Sequence, residues 1–201
     1  MATLTISKSV TGGGGDPLNS TMTQTASGEK NHDDTLVNAG KSGTLTTRTN
    51  DNTGVITLGS SHGVTDSHIV DVYWAGGVRY GMTVTGTDST TISIDGGAGD
   101  VLPAAETTVV VGITEDIVCV LTGDDARAIS IVCNKRCHVD FQDAGGSELP
   151  LEIAANGGWD WTYDSGLANP IAGDSIIIAR VSCGETVAGR FRYRILYDDT
   201  P

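Results

Sequence analysis

Basic residues are scarce in this chain. Its 201 residues hold 12 Lys and Arg against 25 Asp and Glu, a formal net charge of −13. Clustered Lys and Arg are what grip a phosphate backbone, so this balance argues against a nucleic-acid partner. Long apolar runs are also missing. No stretch of about 18 apolar residues exists, so no transmembrane helix and no membrane partner are expected. The opening residues, Met1-Ala2-Thr3-Leu4-Thr5-Ile6, lack the basic and apolar regions of a signal peptide, and the expectation is a protein made in the cytoplasm. Aromatics are few: two Phe, three Trp and five Tyr.

Catalytic patterns are absent too. There is no Gly-x-Ser-x-Gly elbow. His32, His62, His68 and His138 share no neighbourhood in the sequence. The adjacent carboxylates Asp33-Asp34, Asp124-Asp125 and Asp198-Asp199 fall in turns or at a terminus, where carboxylates are usually solvated. Gly40-Lys41-Ser42 imitates the end of a phosphate-binding loop, but Thr35 stands where the first glycine is needed and no helix is promised after it. Gly96-Gly97-Ala98-Gly99-Asp100 is a single copy, one residue out of register, of a calcium-binding repeat and reads as a tight acidic turn. No cofactor is expected.

What is present is strand and turn chemistry. There are 27 glycines, and Thr, Val, Ile, Ser and Asp are frequent while helix formers are sparse. The expected fold is all-β: an N-terminal arm, a small β-barrel or sandwich module, and a C-terminal antiparallel β-sandwich of jelly-roll type. Residues 1–43 form the arm, rich in Gly, Ser and Thr, with four consecutive glycines at Gly12–Gly15 and few apolar anchors. Such an arm is ordered either by a neighbouring subunit or by folding back on its own domain. Residues 44–112 hold expected strands at 44–49, 54–58, 68–74, 80–86, 90–95 and 107–112, separated by turn signals that include 95–100. Residues 113–201 hold expected strands at 116–121, 126–133, 137–142, 149–153, 158–163, 175–183 and 188–197, enough for a sandwich.

The last two strands carry the strongest pattern. Phe191, Tyr193, Ile195 and Tyr197 alternate with Arg190, Arg192 and Arg194, which predicts aromatics inward and arginines outward. In the preceding strand Ile177, Ala179, Val181 and Cys183 are expected inward, with Arg180 and Ser182 outside. The two are expected to pair as a hairpin across the turn Gly184-Glu185-Thr186-Val187.

Two sets of side chains remain open between readings. Cys119, Cys133, Cys137 and Cys183 are weighed as thiols first, because the protein is expected to be made in the cytoplasm. They read as small buried apolar groups, then as a disulfide if residues 134–136 turn, and last as a metal site. On one extended strand Cys133 and Cys137 would stand about 13 Å apart, too far to bond. Trp159, Trp161 and Tyr163 alternate on an expected strand and so share a face. Buried, they floor the core. Exposed, they are a platform for stacking sugar rings.

Gly54-Val55-Ile56-Thr57-Leu58, His62-Gly63-Val64, Val70-Asp71-Val72 and Met82-Thr83-Val84 together resemble a small β module that recurs in virion proteins of tailed bacteriophages. That module has a strand, a His-Gly-aliphatic turn, a Gly-Asp pair and a Val-x-Val strand. Here Ser67-His68 stand where Gly-Asp would be expected, so this turn differs. The resemblance covers about a third of the chain and implies a virion structural protein, located in the virion, with the major capsid protein or other virion proteins as partners. It names no ligand.

Three functions follow as expectations. The first is a non-enzymatic capsid decoration protein, a homo-oligomer with a trimer favoured, that binds and stabilises the phage head. The second is a tail fibre, tip or baseplate component that binds a host-surface glycan through Trp159, Trp161 and Tyr163. The third is a hydrolase on a β-sandwich, which needs two carboxylates across a cleft.

Overall fold

The computed structural model describes residues 1–10, 18–121, 125–143, 146–171 and 176–198. Within them the chain is all-β. Sixteen strands form a two-stranded ribbon, a closed six-stranded barrel and two four-stranded sheets, and every pairing is antiparallel.

The barrel comprises β4 (Lys41–Arg48), β5 (Gly54–Leu58), β6 (Ile69–Trp74), β7 (Gly77–Thr87), β8 (Thr91–Gly99) and β9 (Thr107–Ile113), in the order β4-β5-β8-β7-β6-β9. Alternation explains its filling. Val70 and Val72 on β6, and Ile92 and Ile94 on β8, are fully buried inside with Leu45 and Met82. The stretch 95–100, expected as a turn, instead continues β8 to Gly99 against β7. A Cβ at Gly97, whose φ is 74°, would lie 2.5 Å from the Tyr80 carbonyl oxygen, so only glycine allows that approach. Arg79 ties this segment down. Its guanidinium donates to the carbonyls of Gly96 (2.7 Å), Gly97 (2.8 Å) and Asp100 (3.1 Å).

The sandwich comprises β10 (Glu115–Leu121), β15 (Ile176–Cys183), β12 (Cys137–Gln142) and β13 (Ser147–Ile153) in one sheet, in that order. The other sheet runs β14 (Gly157–Thr162), β11 (Asp125–Cys133), β16 (Arg190–Asp198) and β3 (Gly28–Thr35). One core lies between them, with Val139, Phe141, Val181, Ile131, Phe191 and Tyr193 all buried.

Two expectations are corrected here. The last two strands are not a hairpin: β15 and β16 belong to different sheets and face each other across the core. The connection between them cannot act as a tight turn because its backbone is used elsewhere. Gly184 N–H donates to Arg136 O, while Glu185 O and Gly189 O accept from Gly40 and Leu36. On β16 the arginines point outward as expected. On β15 the parity shifts near its start, so Ile177 is 39% exposed and Ile176 is buried, beside an irregularity between Val118 and Leu121 in the partner strand.

The segment read as an arm is built into the molecule. β3 pairs with β16 along its whole length, from Gly28↔Tyr197 to Thr35↔Arg190. Its polar residues suit an edge strand lying beside arginines. Arg194 chelates Glu29 at 2.8 and 2.9 Å, and Arg190 binds Asp33 at 2.7 Å. Leu36 enters the sandwich core, and Val37 and Asn38 N–H groups donate to Glu115. Before β3, strands β1 (Ala2–Val10) and β2 (Leu18–Ala26) pair only with each other. Ala2, Leu4 and Ala26 of this ribbon pack on Ala128 and Leu196. The four-glycine run lies outside the described residues.

Candidate functional site

The polar residues with the most chemistry meet at the seam between barrel and sandwich. On β6, Val70 and Val72 point into the barrel, so Asp71 and Tyr73 point out of it. On β12, Cys137, Val139 and Phe141 enter the sandwich core, leaving His138 and Asp140 on the opposite face. His138 stands directly across from Ser182 on β15. Ser182 and His138 therefore sit on what would be the solvent side of the sheet, and the barrel covers them. Asp71 and Ser182 are each 1% exposed and His138 is 4% exposed. Glycines permit the close fit: a Cβ at Gly112 would lie 2.7 Å from Cys183 O, and one at Gly184 would lie 2.7 Å from the Tyr73 ring.

The hydrogen bonds run in one direction. Ser182 Oγ donates to Asp71 Oδ2 at 2.5 Å. A hydroxyl has one hydrogen, so Tyr73, at 2.5 Å from Ser182 Oγ, is the donor to it. Tyr73 oxygen in turn accepts the His138 backbone N–H at 2.8 Å. His138 Nδ1 lies 3.1 Å from Asp71 Oδ2, and Gly81 N–H donates to Oδ1 at 2.7 Å. The tautomer with its proton on Nδ1 satisfies Asp71 and is assigned from this network. Burial, and then the nearby Asp71 charge, push the Tyr73 phenol well up, so it stays a donor. Tyr80 stacks on His138 with ring centroids 4.1 Å apart. Arg136 adds a second tie, donating to Trp74 O (2.6 Å) and Gly77 O (2.9 Å) across the seam.

A serine, a histidine and an aspartate are thus in contact, but in the wrong order for nucleophilic catalysis. In a triad the histidine stands between the serine and the aspartate and takes the serine proton. Here Asp71 stands between, and Ser182 is sealed from solvent. The arrangement ties two domains together. Beside it lies a cleft of about 300 Å³ lined in part by Tyr80, Asp140, Gln142 and Arg180. Gln142 donates to Asp140 at 2.6 Å, and Arg180 is held by Asp116 at 2.7 and 2.9 Å.

The aromatic trio does not form one face. Trp161 is 3% exposed in the sandwich core, and Trp159 is half-buried against the same core. Strand β14 ends at Thr162, so Tyr163 starts a one-turn 3-10 helix, Tyr163–Ser165, instead of continuing the alternation. Its ring is 56% exposed and carries the Arg127 guanidinium 4.6 Å from its centroid. Of the two readings left open, Trp159 and Trp161 take the core one, and the three rings share no exposed face.

All four cysteines are free and buried. Cys119 lies near Tyr193; the other three gather at one end of the sandwich core. Cys137 is directly opposite Cys183, and a hydrogen bond from Cys137 lowers the Cys133 thiol to about 7. The same bond, with burial, pushes Cys137 far up. No group of three or more His, Cys, Asp or Glu suited to a metal occurs among the described residues.

The remaining motifs are structural. His62 Nε2 meets Asp88 O at 3.0 Å and its Nδ1 accepts Val64 N–H at 3.1 Å, fixing the His-Gly-Val turn. His68 Nδ1 accepts Thr65 N–H. Gly40 bonds Glu185 O, and Lys41 begins β4, a strand. Asp198 binds Arg127, and Asp124 and Asp199 lie outside the described residues. One signal for the seam was present in the sequence: Asp71 is the only charged residue in the apolar strand Ile69–Trp74.

Compared with protein-family models, curated proteins and solved structures, the chain matches none.

Proposed function

We propose that this chain is a non-enzymatic structural protein of a virion, and most concretely a capsid decoration protein that braces the phage head. The observation that carries this reading is the seam. Asp71, Ser182, Tyr73 and His138 are spent on fastening the barrel to the sandwich, which makes the chain a stiff two-domain brace. The resemblance of residues 44–112 to a module of phage virion proteins supplies the setting. Such a protein acts by area. It bridges neighbouring capsid subunits and resists internal pressure, and many copies on a symmetric shell offset modest affinity per site. The acidic surface keeps it from adhering to nucleic acid. A tail component that grips glycan has less support, because Trp161 is buried.

Immunogold labelling of particles from the native source tests this. Gold spread evenly over heads is the expected result. Gold confined to tail tips would replace decoration by adhesion, and particles free of label would end the virion reading.

A further inference from the structure

The imidazole of His138 is only half used. Its Nδ1 faces Asp71 at 3.1 Å, while Nε2 is buried and meets no hydrogen-bonding partner. With the proton on Nδ1, Nε2 carries a lone pair and can only accept. A buried acceptor without a donor is costly and calls for an explanation. His138 lines the cleft of about 300 Å³ beside the seam, which gives a donor a way in.

The other residues of the cleft select the donor. Asp140 stands two residues along β12 on the same face, its Cα about 7 Å away. It is 5% exposed and accepts the Gln142 amide at 2.6 Å. Arg180 lies opposite it in register, but the Arg180 Nε and Nη2 groups go to Asp116. The lining therefore holds two carboxylates, Asp71 and Asp140, against one guanidinium that is already paired. An anion would be repelled, and a neutral hydroxyl would leave the charge uncompensated. A primary ammonium supplies both what Nε2 lacks, an N–H donor, and the missing positive charge. The remaining walls are Ile69, Ala98 and the half-buried Tyr80 ring. They suit an aliphatic stem, and an aromatic ring attracts the cation at its end. A net charge of −13 raises the local concentration of cations around the whole chain.

We propose that this cleft binds a primary ammonium on an aliphatic stem, with the ammonium donating to Asp140 and to His138 Nε2 and the stem lying along Ile69, Ala98 and Tyr80. Nε2 has almost no exposed surface before binding, so the Tyr80 ring, stacked on His138 with centroids 4.1 Å apart, turns aside as the ammonium enters. Two sources carry this chemistry: a small free amine and a lysine side chain of a partner protein. The site belongs to the purified chain and stands whether or not the virion reading does.

Nuclear magnetic resonance of the isotope-labelled full chain, titrated with pentylamine, is the test. Pentanol serves as the uncharged analogue, and lysine capped at both ends of its backbone stands in for the side chain. The expected result with pentylamine is saturable binding, a shift of the His138 Nε2 resonance and contact between the pentyl methylenes and the Tyr80 ring. Pentanol is expected to leave Nε2 unmoved. Asp140→Asn keeps the size of the side chain and removes its charge, and the affinity for pentylamine is expected to fall more than about tenfold. Binding of capped lysine as well would assign the site to a partner protein, and binding of pentylamine alone to a free amine. No shift at His138 with either amine, an equal response to pentanol, or an unchanged affinity in Asp140→Asn would each overturn the proposal. If that variant fails to fold, the comparison of pentylamine with pentanol on the parent decides.

Discussion

Ser182 gives its hydroxyl hydrogen to Asp71, at 2.5 Å, and not to His138, although His138 is its direct partner in the β12–β15 ladder. That single preference separates a structural fastening from a catalytic triad. It also fixes Tyr73 as the next donor in the chain. Ser182→Ala removes one donor to a buried carboxylate and leaves the Tyr73 hydroxyl only the more distant backbone carbonyl of residue 182, at 3.3 Å, as acceptor. The expected loss is about 1–3 kcal/mol, the usual cost of an unsatisfied buried polar group. Urea unfolding checks it: the midpoint drops while the slope stays constant.

Tyr193→Ala should cost more. The ring is 4% exposed and meets Phe141 edge-on, with centroids 5.7 Å apart. Removing a large ring from a packed core costs about 3–5 kcal/mol. An unchanged melting temperature would contradict the assignment of the inward face of β16.

Acid should weaken the seam between β3 and β16. The Arg194 hydrogen bonds hold Glu29 below the usual carboxylate range, and the Ser27 N–H, then Arg127, do the same for Asp198. A lowered carboxylate stabilises the fold above its unfolded pKa, and that contribution disappears as pH falls through the lower folded value. Both groups are well hydrated, so together they contribute on the order of 1 kcal/mol, lost below about pH 4. Melting curves at pH 7 and pH 3 should differ less in Glu29→Gln than in the parent. An equal acid loss in both would remove Glu29 from the explanation.

The thiols should be silent in the native protein despite the near-neutral Cys133. All of Cys119, Cys133, Cys137 and Cys183 are buried and unbridged. Reaction with Ellman's reagent then waits for opening of the sandwich. It should run at least about a hundredfold slower than in urea, where four thiols appear. Fast native labelling at Cys133 would show that its corner opens locally.

Much of the strand pattern was legible in advance. Gly54–Leu58 and Cys137–Gln142 are strands over the residues their alternation predicts, and Phe191, Tyr193 and Ile195 are buried while Arg190 and Arg192 are exposed. Alternation reports which face is apolar. It does not report which strand lies alongside, so the pairing of β15 with β10 and β12 rather than with β16 was hidden. β3 was hidden for another reason. Gly28–Thr35 has no apolar alternation, and its place is set by Glu29 and Asp33 meeting arginines more than 150 residues away. Ser182 read as an outward residue because its strand alone decides that. Its burial depends on a second domain docking over the sheet.

The central claim is that Asp71 fastens the barrel to the sandwich. Differential scanning calorimetry of Asp71→Asn tests it most directly, because an amide in that place cannot accept from Ser182, His138 and Gly81 together. The account predicts one cooperative transition in the parent and two separated transitions in the variant, the first several degrees lower. A single transition at the parent's temperature would contradict it, and the Asp71–Ser182–His138 contact would then be incidental to holding the domains together.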